Sequence, residues 1–466
     1  GTDGFDGELI SNDSYYNPFG TGPNGMGTEP VFFSSNNGAV YRLRTVPMGN
    51  RNYNSSRSTD WVSTSLNGHF SVMDHDWTAT LGYVFSRSAQ TATGAGNPDQ
   101  SKLAPGLGPS FKNSDGVIQC GTPSEPIPLA SCTPWDPFNI NAPSSVAVLQ
   151  GARSTTLDNL WSNERYWHAD VSGGIIDLPA GTAQLALGAQ YRKEYLNNTI
   201  DTQTVINETT LTCPLGTNCT AHLQGGYNVK EAYAELFIPL LEGMRFARGL
   251  NVTLGDRFSK YSTFGSTNNW KVGIEYRPVD DLLMRGTVSS VFRAPTIGDV
   301  FAPPTSKDDL LSRDPCEYAG SGANPNAGSP ACLGVSATGP FINREVQNNQ
   351  QIRGVKSGSS FAHFGLGPEV GKSFDFGVVY SPHFVPGLSL AVDYWRIYLE
   401  NTIQTVGGQT VMDLCFAGQT RYCSLIQRQQ SGPNAGQMLN LLLPTGNLGR
   451  IDVKGVDLQA TYRLPE

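Results

Sequence analysis

Charged side chains are scarce in this sequence: 15% of 466 residues, where ordinary soluble domains carry about 25%. Basic residues are the scarcer kind, 32 against 40 acidic, and the formal net charge of -8 leaves no positive footprint for nucleic acid. Long apolar runs are missing too. No stretch approaches the roughly 20 consecutive apolar residues of a membrane-spanning helix, and mean hydropathy is -0.28. The opening Gly1 to Phe5 has neither the basic region nor the apolar core of a signal peptide.

Catalytic and metal-binding signatures are also lacking. The histidines at 69, 75, 168, 222, 363 and 383 form no HExxH or other ligand spacing, and there is no GxSxG elbow. Gly371-Lys372-Ser373 ends like a phosphate loop, but Leu366 stands where the first glycine is required and a strand pattern follows. Asp375-Phe376-Gly377 spells a kinase signature without its HRD or VAIK companions. His168 alternates with Tyr166 and Asp170, which places it on the polar side of a strand. The expectation is no catalytic residue, no metal and no cofactor, hence a protein that is not an enzyme.

What the chain does have is glycine, 52 residues of it, with 10% aromatics and strict alternation. Between Leu250 and Pro295 three strands follow one another. Leu250, Val252, Leu254 and Phe258 oppose Asn251, Thr253, Arg257 and Ser259; Trp270, Val272, Ile274 and Tyr276 oppose Lys271, Glu275 and Arg277; Met284, Val288 and Phe292 oppose Arg285, Thr287 and Ser289. Successive side chains of a strand point to opposite faces, so each strand has one apolar and one polar side. Similar strands are expected at Ala39–Val46, Trp61–Val72, Trp77–Phe85, Tyr166–Ile175, Ala183–Arg192, Lys372–Tyr380, Leu388–Leu399 and Val456–Tyr462. Val229–Ile238 is one more, with apolar residues in both of its sets. The total is about twelve strands of near ten residues each, the length and patterning of a transmembrane barrel.

Connections come in two sizes. Met73–His75, Asp177–Gly181 and Ser381–Gly387 are short; Ser88–Leu160, Glu194–Gly226, Ala294–Gly367 and Glu400–Gly446 are long, the first reading as irregular and proline-rich. The eight cysteines fall as neighbouring pairs, Cys120 and Cys132, Cys213 and Cys219, Cys316 and Cys332, Cys415 and Cys423, one pair in each long connection. No CxxC spacing occurs, so disulfides in an oxidising compartment are expected, paired by proximity. Long and short connections alternate, except that Tyr261–Asn268 is a brief outer loop, as expected when every large loop lies at one end of a barrel.

Several stretches carry a resemblance: Tyr16–Gly20 (YNPFG), Val229–Leu241 (VKEAYAELFIPLL), Phe292-Arg293-Ala294-Pro295, Lys372–Pro382 (KSFDFGVVYSP) and Asn447–Pro465 (NLGRIDVKGVDLQATYRLP). They resemble the barrel of TonB-dependent outer-membrane receptors and occur in family order. The resemblance implies an all-β transmembrane antiparallel barrel of about 22 strands, with long extracellular loops, an N-terminal plug and an inner-membrane TonB complex as energy source. The chain itself, residues 1–466, reads as a partial barrel domain without the plug and without the terminal aromatic strand.

The implied function is capture of a scarce nutrient outside the bacterial outer membrane, a siderophore, vitamin, oligosaccharide or similar, for TonB-energised import. Outer-membrane lipid, a small extracellular ligand and TonB, reached through the plug, would be the partners. Arg293, at the loop end of a strand, would either reach an anionic ligand or brace the following loop. Trp135, Trp161, Tyr318 and Phe341 would either stack on a ligand or pack within their loops. Two other readings stay open: a complete twelve-stranded passive pore, and a secreted, disulfide-stapled β-protein that binds glycans. The soluble reading requires two facing buried layers in place of one apolar band.

Overall fold

The computed structural model describes residues 9–22, 24–25, 31–32, 44–207, 213–215, 219–343, 351–357, 366–431 and 435–464. Its frame is a sheet of 14 strands. Three are short and lie on the loop side (Thr305–Leu310, Gln351–Ser357 and Ile426–Arg428). The remaining eleven form an antiparallel meander in chain order: β1 (Asn52–Val72), β2 (His75–Pro98), β3 (Arg153–Leu178), β4 (Gly181–Thr199), β5 (Leu223–Met244), β6 (Ala247–Tyr261), β7 (Gly265–Val279), β8 (Leu282–Arg293), β9 (Glu369–Tyr380), β10 (Leu388–Thr405) and β11 (Met438–Tyr462).

Register explains why the alternation matters. Ile238, Val252, Ile274, Gly286, Phe376, Tyr394 and Val456 stand directly opposite one another across seven strands, an unbroken apolar row. The neighbouring row on the other face reads Asn251, Glu275, Arg285, Gly377, Asp393, Asp457. Two glycines serve these rows. A Cβ on Gly286 would lie 2.9 Å from the Phe376 ring, so the ring covers the gap, and one on Gly377 would meet Asp393 Oδ1. The space above Gly377 lets Arg285 reach across β9 to Asp393, at 2.8 Å.

The apolar row is exposed: Ile274 47%, Phe376 50% and Val456 58%. A contiguous apolar band of this kind is unstable in water and suits a hydrocarbon surround. The same registers settle β5: Ala232, Ala234 and Leu236 join the apolar face beside Leu185, Leu187 and Leu254, while Glu231, Tyr233 and Glu235 take the polar one. Among the described residues all the long strands belong to one sheet whose apolar row is exposed, where a soluble sandwich would bury it between two layers. β1 and the end of β11 each pair on one side only among the described residues.

Three expectations are corrected. The strands have 12 to 26 residues, not near ten. About 10 residues cross a bilayer, and the hydrogen-bonded ladders of β2, β3 and β4 continue beyond that on the loop side. The connection after β2 is not irregular: it contains α1 (Gln100–Leu103), the pair Ser110–Lys112 with Ile118–Cys120, and α2 (Pro143–Gly151). Short polar elements of this kind leave no periodic signal. At Ala39–Val46, residues 39–43 lie outside the described residues and Val46–Met48 is a 3-10 turn.

Five of the six tight connections lie at one end; the sixth, residues 262–264 between β6 and β7, lies at the other. In the first, Met73 and Asp74 both adopt positive φ, 52° and 64°, the twist that a two-residue hairpin demands. The loops lie at the other end, and the hydrophobic cores of the described residues lie in or beside them.

Candidate ligand-binding mouth

The long loops fold into two caps. In the first, the connection 99–152 buries Leu103, Leu107, Trp135 and Leu149 with Ile10 and Met48. In the second, three connections share a core: Ile206 and Cys219 from the first, Cys316, Cys332 and Phe341 from the second, Val411 and Cys415 of α4 (Gly408–Phe416) from the third. All four expected disulfides are formed, Cys120–Cys132, Cys213–Cys219, Cys316–Cys332 and Cys415–Cys423. Loops with too little apolar surface to hold themselves folded gain stability from such closures.

A charge pair sits inside the second cap. Arg428 donates two hydrogen bonds to Asp314, 2.7 and 2.8 Å, with both side chains sealed from solvent at 1% and 0% exposure. Its other donors meet the carbonyls of Ala331 and Gly436, and Asp314 also accepts from Asn343. A buried pair is tolerable only when its remaining hydrogen-bonding groups are met in this way. Nearby, burial pushes the Glu317 carboxyl up; Asp314 adds to this, and the backbone N–H of Asn343 opposes it.

Between the loop ends of β2 to β5 and the start of the connection after β8 lies a cavity of 540 Å³. Its floor is a single cross-strand row, Ser86, Glu164, Glu194 and Tyr227, from β2 to β5. Glu164 and Glu194 are direct neighbours of like charge, and Arg192 Nε lies 2.9 Å from Glu194. The roof is Ala294–Gly298, leading into α3 (Ile297–Phe301). Thr296 and Asp299 cap α3 reciprocally, and Phe301 packs over Gly225, where a Cβ would stand 2.3 Å from the ring. The cavity offers carboxylate acceptors and hydroxyl groups to a polar ligand.

Arg293 stands behind this roof. Its guanidinium donates to Glu369, 2.8 Å from Nε, and lies 3.5 Å from Asp299, while Glu369 also accepts from the Ile403 backbone at 2.7 Å. It thereby ties together β8, α3, β9 and β10. The four aromatics separate. Trp135 is fully buried, its indole N–H donating to the Leu103 carbonyl; Phe341 is buried in the second cap. Tyr318 is half-buried and pairs with Phe341 through its backbone. Trp161 is half-buried against Tyr195, centroids 5.2 Å apart. None of the five is among the residues lining the cavity. The row that does line it has one sequence signal, polar residues at the loop end of the alternation, and becomes a site only through register.

A family model described as "TonB dependent receptor-like, beta-barrel" matches residues 2–465. A search of curated proteins gave no match. Among solved structures the chain is similar to a mutant ferric enterobactin receptor, PfeA, from Pseudomonas aeruginosa, at 12% identity and TM-score 0.35, covering 84% of this chain and 49% of that one. It is also similar to the siderophore receptor PirA from Pseudomonas aeruginosa (12%, 0.34, 88% and 56%). A third is the RagAB peptide importer in its closed-closed state (12%, 0.43, 97% and 38%). The chain thus spans about half the length of the two siderophore receptors, 49% and 56%.

Proposed function

The chain belongs to the TonB-dependent receptor-like β-barrel family, and from that premise we propose that it is the barrel wall and outer mouth of a nutrient receptor in a bacterial outer membrane. The family is one of receptors and transporters, not enzymes. Residues 1–466 supply part of the barrel domain; a plug outside this chain would fill the lumen and transmit the pull of the TonB complex. The ligand is captured at the loop end, where the caps stand over the polar face.

The observation that carries this reading is the sorting of the molecule by end and by face. Four disulfide-closed loops lie at one end and five of the six tight turns at the other, with an apolar row outside and a charged row inside. A wall of that kind holds a polar path through lipid.

Uptake by cells carrying the whole receptor tests it. Labelled ferric siderophores, cobalamin and oligosaccharides are supplied with and without a protonophore. Uptake of one class that stops with the protonophore, while surface binding persists, is the expected result. Uptake that continues after the proton gradient is dissipated would establish the passive pore instead.

A further inference from the structure

The sequence holds the same five-residue pattern twice, 119 positions apart by numbering from Tyr16 to Trp135: Tyr16-Asn17-Pro18-Phe19-Gly20 and Trp135-Asp136-Pro137-Phe138-Asn139, an aromatic, an Asx, proline, phenylalanine and a turn residue. The structure gives both copies the same local bond. Asn17 Oδ1 accepts from the Phe19 N–H at 3.0 Å, and Asp136 Oδ1 accepts from the Phe138 N–H at 2.9 Å. Each is an Asx turn closed over a proline, which fixes the direction of the phenylalanine that follows.

The two phenylalanines meet. Phe19 and Phe138 lie edge to face, with centroids 6.3 Å apart, a favourable aromatic geometry. Around them the segment before β1 is sewn to the first cap. Ser11 N–H donates to the Leu107 carbonyl (2.9 Å), Ser110 N–H to the Asp13 carbonyl (3.1 Å), and Tyr15 N–H to Ser110 Oγ (2.9 Å). Ile10 is fully buried in the core of that cap. Asn17, also fully buried, donates from Nδ2 to the Ser11 carbonyl. Gly20 is required, because a Cβ there would meet the Asn12 carbonyl oxygen at 2.1 Å.

We propose that these twin turns form a clasp joining residues 9–22 to the loop 99–152, so that the segment preceding β1 and the first cap hold and release as one body. The two halves differ in one respect that the chemistry predicts. Asp136 uses its carboxylate only as an acceptor, to the N–H groups of Phe138 and Asn139, so an asparagine would serve there. Asn17 uses both its oxygen and its amide, so an aspartate would not serve at 17.

Limited trypsin digestion of the full chain in detergent micelles tests the clasp. Lys112 is exposed in the first loop and Arg421 in the third connection of the second cap. Cleavage that requires local opening follows the population of the open form. Phe19→Ala, Asn17→Ala and Asp136→Ala should each speed cleavage after Lys112 about tenfold and leave cleavage after Arg421 unchanged. Asp136→Asn should behave as the parent, and the Phe19→Ala/Phe138→Ala pair should be no faster than the faster single variant. Unchanged cleavage after Lys112 would overturn the clasp. So would equal acceleration at Arg421, or an Asp136→Asn variant as open as Asp136→Ala.

Discussion

Asp314 and Arg428 are 114 positions apart and are sealed together inside the second cap. Removing one member of such a pair strands the other charge in a dry site, a loss of about 3–5 kcal/mol. Asp314→Ala should therefore unfold the second cap while the strands persist, read as loss of amide protection in 305–343 and 406–431 with unchanged protection in β6 to β8. Glu317 makes a second prediction at this scale. Its folded pKa is raised, by burial first, so its contribution to cap stability is fully present below the ordinary glutamate value and is lost as pH rises through the folded one. Glu317→Gln keeps an acceptor for the Asn343 N–H and removes the titration. The variant's cap should lose the decline in stability that the parent shows as pH rises above the ordinary glutamate value, measured by hydrogen exchange. Nothing in the local sequence marks Asp314, Arg428 or Glu317. Ordinary loop residues acquire these roles because three connections fold against one another.

Among the elements, the strands were legible and their ends were not. Alternation alone placed Trp270, Val272 and Ile274 on one face and Lys271 and Glu275 on the other, and the registers agree. Val229–Ile238 was ambiguous because Val229, Phe237 and other apolar residues occupy both of its faces; pairing with β4 and β6 decides it. The two faces answer differently to the same chemistry. Ile274→Arg, on the apolar row, should cost about 2–4 kcal/mol in guanidinium unfolding from phospholipid vesicles, the range for a cation placed against lipid. Glu275→Gln, one residue away on the polar row, should change stability by less than about 1 kcal/mol. A similar loss for both would show that the two faces had been assigned wrongly.

At the scale of the whole molecule, the exposed apolar band and the charge-poor sequence have a common cause: the outer surface meets hydrocarbon, where charge is costly and apolar groups need no burial. The whole receptor should fractionate with the outer membrane and unfold only on heating in detergent, checked by a gel-mobility shift between unheated and boiled samples. Its caps depend on a separate source of stability. Reduction should release the four disulfides, each loop closure contributing roughly 2–3 kcal/mol, and loosen the caps while the heat-dependent mobility of the barrel is retained.

The sequence by itself determined the strands, their two faces, the sorting of loops from turns, and the cysteine pairs. Each of these is written in short-range periodicity or proximity along the chain. Tertiary structure alone decided that Ser86, Glu164, Glu194 and Tyr227 form one row beneath the mouth. It also decided that Arg293 braces four elements and that Trp135 is sealed in a core. Those outcomes depend on register and on contacts between residues far apart in sequence, set by packing that no local pattern records.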